Sequence, residues 1–109
     1  MRHITSHLAR ATQAAVVLLA LQAVNAQANE ALARKHGCLA CHSVATKIVG
    51  PAYKDVAARY AGQDGALEQL QTSIREGSTG KWGELAMPPH AAMPPADIKK
   101  LAQWVLGLK

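Results

Sequence analysis

Apolar residues fall in three patterns along the chain, and each predicts a different kind of segment. Near the start, Ala14 to Leu21 is one uninterrupted apolar run. It is shorter than the ~20 residues a membrane-spanning helix needs. Arg2 and Arg10 precede it, Gln22 and Asn25 end it, and small residues follow. This basic, apolar, small-residue order predicts a secretory signal peptide over residues 1–26, cleaved after Ala26 or Ala28. An uncleaved membrane anchor is the alternative. Residues 27–109 then form one domain.

Beyond that run the spacing turns helical. Asn29 can cap a short helix, Glu30 to His36, with Arg34 and Lys35 at its negative end. A second helix is expected over Tyr53 to Ala61, stopped by Gly62. Asp64 is a candidate cap for a third, Gly65 to Glu76, in which Leu67, Leu70 and Ile74 make an apolar stripe at i, i+3 and i+7. A last helix runs Pro95 to Leu106, burying Ile98, Leu101, Ala102 and Val105, with Trp104 beside them. No segment shows a convincing strand pattern, so the expected fold is all-α, with three or four helices. Residues 78–94 follow no period and carry Gly80, Gly83, Pro88, Pro89 and Pro94. A structureless loop of that length in a small domain is usually functional or disordered.

Composition shows what such a domain lacks. The chain has 109 residues, no phenylalanine, two tyrosines and two tryptophans. A domain this short buries little apolar surface and usually needs a staple. The formal charge of +5 loses two positive charges with the signal peptide, because Arg2 and Arg10 leave and no acid does. The remaining bases are scattered, and no aromatic or glycine-rich nucleic-acid motif accompanies them, which argues against a nucleic-acid partner.

The staple is written in Cys38-Leu39-Ala40-Cys41-His42. These are the chain's two cysteines, three apart, with a histidine directly after. The arrangement is a c-type haem attachment site. Each thiol can form a thioether with one haem vinyl group, and the His42 imidazole can bind the iron. A zinc site would want a second ligand pair. A thioredoxin-like pair would want a βαβ context. A disulfide closing so small a loop would stabilise little.

His42 serves one face of the iron. The opposite ligand in a c-type electron carrier is typically Met, which raises the reduction potential. After Met1 the candidates are Met87 and Met93, both in the Gly/Pro-rich loop, with His90 as a bis-histidine alternative. Both methionines precede a Pro-Pro pair, which restricts their backbones towards extended conformations. Local chemistry alone leaves the three open, although it gives the loop a purpose: to carry the chain to the far side of the haem.

Beyond the haem motif, the chain resembles the small bacterial class I cytochromes c of the c-551/c-552 type. The resemblance rests on residues 49–57 (Val-Gly-Pro-Ala-Tyr-Lys-Asp-Val-Ala), Gly80-Lys81-Trp82-Gly83, Met87-Pro88-Pro89 and Leu101-Ala102-Gln103-Trp104-Val105-Leu106. It implies a small cytochrome c fold wrapped around one covalently attached haem c. It implies His42 and Met87 as axial ligands, a hydrogen bond from the His42 ring to the Pro51 carbonyl, and a Trp82 indole N–H reaching a haem propionate. The chain departs from its relatives at Ala33, where many carry Phe, at Ser73, where some carry Arg, and at His90, where Asn is frequent.

The function expected is that of a monomeric, periplasmic one-electron carrier with both axial positions filled by protein, not an enzyme. Membrane cytochrome complexes, terminal oxidases and periplasmic reductases are the expected partners. Lys47 and Lys81 are candidates for steering them. The alternative is a haem enzyme or gas-binding sensor with an open or weakly held axial position.

Overall fold

The computed structural model describes residues 16–19 and 25–109. Most of the expected signal peptide, residues 1–26, lies outside the described residues. Four helices and one short 3₁₀ turn make up the domain. We label the helices α1 (residues 25–35), α2 (Tyr53–Tyr60), α3 (Ala66–Glu76) and α4 (Pro95–Leu106). The 3₁₀ turn, Cys38–Ala40, follows α1 after the left-handed Gly37.

Two helix starts differ from expectation. Helix α1 already includes residues 25–29, so Asn29 lies inside it and does not cap it. Ala and Gln are good helix formers, and nothing between Asn25 and Glu30 breaks the turn. At α3 the residue before the helix is Gly65, left-handed at φ 75°, with no side-chain cap, so Asp64 does not cap it. Helix α4 begins at Pro95, where a missing N–H costs nothing.

Helix α4 is the spine of the domain. Its Ala102 and Val105 join Tyr53, Val56 and Tyr60 of α2 and Ala66 and Leu70 of α3 in one buried cluster. Its Ile98 and Leu101 join Ala33 of α1 and Met93 in a second. The half-buried Trp104 packs against both clusters and meets the Tyr53 ring edge to face, with centroids 5.5 Å apart. Ala33 is fully buried and shares its cluster with Met93, a flexible side chain that can fill space a very small one leaves. The two ends of the fold are also tied by polar contact: the His36 ring meets the Asp97 carboxylate of α4, Nε2 to Oδ2 2.9 Å.

Among the described residues there is no strand, only an isolated antiparallel bridge between Ser78 and Met87. Ser78 N–H donates to the Met87 carbonyl at 3.1 Å, and Met87 N–H donates to the Ser78 carbonyl at 2.8 Å. The long loop is therefore pinched at its base. Gly77 makes this possible. It sits at φ 82°, and a Cβ there would lie 2.7 Å from the Met87 carbonyl oxygen.

Candidate functional site

The helices leave a cleft of about 430 Å³. That lies within the range of small-molecule and cofactor sites. Its floor is apolar: Val56 and Tyr60 from α2, Leu70 and Ile74 from α3, Leu101 and Val105 from α4. Cys38, Cys41 and His42 line it, as do the loop 47–51 and the loop 80–88.

The Cys-x-x-Cys-His segment is a single turn held by its own backbone. Cys41 N–H and His42 N–H both donate to the Cys38 carbonyl, at 3.2 and 2.9 Å. This turn is moored to α2, because Tyr53 N–H and Lys54 N–H donate to the carbonyls of Ser43 and Val44. Both sulfurs are half-buried, and they form no disulfide with each other. Burial pushes the Cys38 thiol above its ordinary pKa, with the adjacent Tyr53 hydroxyl offsetting part of the rise. The Tyr53 hydroxyl is itself held well above the ordinary range, first by burial and then by Cys38 beside it. It remains protonated at any physiological pH.

The His42 ring is fixed on three sides. Its Nδ1 lies 2.8 Å from the Pro51 carbonyl oxygen. A carbonyl can only accept, so Nδ1 donates to it, and in the neutral ring this leaves the lone pair on Nε2. The ring stacks on Tyr53, with centroids 4.8 Å apart and planes 17° from parallel. Against another part of the ring lies Gly50, where a Cβ would come within 2.5 Å of Cε1 and 2.8 Å of Nδ1. Only glycine permits that approach. Gly50 N–H is in turn bonded to the Cys41 carbonyl.

Of the three candidates for a second ligand, one lines the cleft. Met87 does, held by its bridge to Ser78. Met93 is 7% exposed and packed in the cluster with Ala33, Ile98 and Leu101. The backbone N–H of His90 is tied to the Ile74 carbonyl, and the residue is not among those lining the cleft. Trp82 lines the cleft half-buried, with the Arg59 guanidinium 4.4 Å above its ring centroid. Gly50, Tyr53 and Arg59 were not singled out in the sequence as parts of the site. Gly50 and Tyr53 lie in the segment 49–57 that carries the resemblance, but no local pattern marks them or Arg59 as parts of the site.

An imidazole with a free Nε2, a methionine, two thiols three apart and an apolar cleft fit a haem c, and they define the class: a helical carrier of one covalently attached haem. Residues 24–105 match the protein family described as cytochrome C oxidase, cbb3-type, subunit III. Cytochrome c-551 of Allochromatium vinosum is 52% identical over 86 residues, covering 79% of this chain and 92% of that protein. Cytochrome c-552 of Nitrosomonas europaea is 52% identical over 84 residues, covering 77% and 82%. The crystal structure of the latter superposes with a TM-score of 0.71 at 51% identity, covering 73% of this chain and 99% of that one. A class 1 cytochrome, MtoD of Sideroxydans lithotrophicus, superposes at 0.63 with 31% identity, covering 75% and 94%. The chain belongs to the class I cytochromes c of the c-551/c-552 type. It is a haem c electron carrier, not an enzyme.

Proposed function

We propose that Cys38 and Cys41 carry the haem thioethers, that His42 and Met87 are the axial ligands, and that the chain works as a closed one-electron shuttle in the periplasm. The observation that carries this reading is the selective placement of Met87. It shares the cleft with His42, whereas Met93 is committed to the core. When bound, the haem supplies a one-electron couple at its iron. The protein's work is to hold both ligands still and to keep water away. The Pro51 carbonyl fixes the His42 tautomer and orientation and raises the basicity of Nε2. Met87, a thioether, favours the reduced state and raises the potential. The apolar floor disfavours added charge and acts in the same direction. Trp82 lines the cleft, and we assign its indole N–H to a haem propionate.

The export reading rests on the order of residues 1–26, with cleavage after Ala26 or Ala28. No helix among the described residues is long and apolar enough to cross a membrane. A monomer exposing the edge of the haem near Cys38 and Cys41 can pass electrons to membrane cytochrome complexes, terminal oxidases or periplasmic reductases. The rival, an open-site haem enzyme or gas sensor, needs a free or weakly held axial position. The Ser78–Met87 bridge argues for a tightly held loop instead. Carbon monoxide separates the two. The reduced protein at neutral pH should leave the gas unbound. Rapid binding, seen as a shift of the main visible band, would sink the closed-shuttle reading.

A further inference from the structure

Two lysines and one glutamate line the cleft, Lys47, Lys81 and Glu84, and Lys81 is held there by a specific set of contacts. Its Nζ lies 3.3 Å from the Ser73 hydroxyl oxygen on α3, and Ser73 also lines the cleft. The Arg59 guanidinium of α2 donates to the Lys81 carbonyl and covers the ring of the neighbouring Trp82. One arginine thus clamps two consecutive loop residues, and the clamp sends the ammonium of the first back across to α3.

Exposed lysines gain little from a neutral hydroxyl, and ordering their long side chains costs entropy. A haem c brings two carboxylates to a cleft whose floor is apolar. The Lys81 cation and the Ser73 hydroxyl, gathered on one stretch of its lining beside Trp82, match one of them in charge and in hydrogen-bonding sense. We propose that Lys81, positioned by Ser73 and by the Arg59–Trp82 clamp, is the cation that pairs with a haem propionate and thereby sets the pH dependence of the haem potential. The inference rests on haem c occupying this cleft. It also gives α3 a use for Ser73: the hydroxyl carries no charge of its own but holds one that comes from the loop.

The consequence has a definite sign. A cation beside a carboxyl group lowers its pKa, so the propionate stays ionised to lower pH. Ionisation of a propionate lowers the haem potential as pH rises through its pKa, because negative charge favours the oxidised iron. With Lys81 present, that step lies at low pH. Neutralising the lysine moves the step upward and lowers the plateau above it.

The test is a redox titration of the purified holoprotein across a range of pH, on the native chain and on Lys81→Gln, Lys81→Arg, Ser73→Ala and Lys99→Gln. Lys99 is exposed on α4, away from the cleft, and reports the effect of a distant charge. Lys81→Gln should move the step to higher pH, Ser73→Ala should move it the same way by less, and Lys81→Arg should restore it. Lys99→Gln should leave its position unchanged. A step that stays in place in Lys81→Gln, or moves equally in Lys99→Gln, overturns the assignment. The covalent haem spectrum, recorded on every variant, keeps failure of this inference distinct from failure of the haem site itself.

Discussion

Gly50 and His42 meet so closely that one methyl group decides the geometry of the ligand. In Gly50→Ala, a Cβ 2.5 Å from the His42 ring must push the imidazole, break the Pro51 bond, or shift the loop. We predict that this variant yields less holoprotein and shows an altered haem potential, measured against the native chain by absorbance and redox titration. An unchanged yield and potential would count against the geometry. Met93 predicts a different result. It is a core residue, so Met93→Ala should cost about 2–5 kcal/mol of stability in chemical denaturation and leave the haem spectrum intact. At this scale the sequence revealed chemistry better than contact. His42, Cys38 and Cys41 stand out by spacing. Gly50 does not, because its requirement comes from a ring eight residues earlier that only the folded loop brings against it. Met87 and Met93 have the same local neighbours, each preceding two prolines, and burial separates them.

Among the elements, the loop 77–90 depends most on tertiary structure. Its lack of periodicity was legible. Its pinched base was not, since a one-residue bridge leaves no alternating pattern to read. Gly77→Ala would place a Cβ 2.7 Å from the Met87 carbonyl and would force on alanine a positive-φ, extended-ψ backbone that essentially only glycine adopts, at a cost of roughly 1–3 kcal/mol. We expect the Met87 segment to loosen and the reduced protein to bind carbon monoxide measurably faster than the native chain. Equal rates would show that the bridge does not hold the segment. Helix α4 was readable to its ends because its apolar stripe and Pro95 agree. The start of α3 was misread for a physical reason: Asp64 is an apt cap by residue type, but the left-handed Gly65 intervenes and takes the position before the helix. Helices α1 and α4 are joined by His36 and Asp97, which are far apart in sequence and so invisible in any local pattern. Asp97→Ala should cost about 1 kcal/mol, read as a lower unfolding midpoint with an unchanged haem spectrum. An unshifted midpoint would show the contact to be energetically idle.

The whole molecule is organised around its cleft. Much of the buried core is small, with Ala33, Ala52, Ala57, Ala66 and Ala102 among its members. Larger apolar side chains such as Leu70, Leu101 and Val105 are buried by the helices and also line the cleft. A domain this small and without phenylalanine buries little apolar surface of its own. We therefore expect a chain with Cys38 and Cys41 both changed to Ser, prepared without haem, to be largely unfolded by circular dichroism. A cooperative, native-like melt would contradict that. Class and cofactor were legible in the sequence because covalent attachment demands a fixed motif. Local chemistry left Met87, Met93 and His90 open; the resemblance implied Met87, and its place in the cleft lining supports that reading. The most direct test of the central claim, that His42 and Met87 close the iron between them, is the near-infrared spectrum of the oxidised protein. The native chain and Met93→Ala should show the weak methionine-to-iron charge-transfer band, and Met87→Ala should lack it. A native spectrum without the band, or a band that survives in Met87→Ala and vanishes in Met93→Ala, would contradict the account.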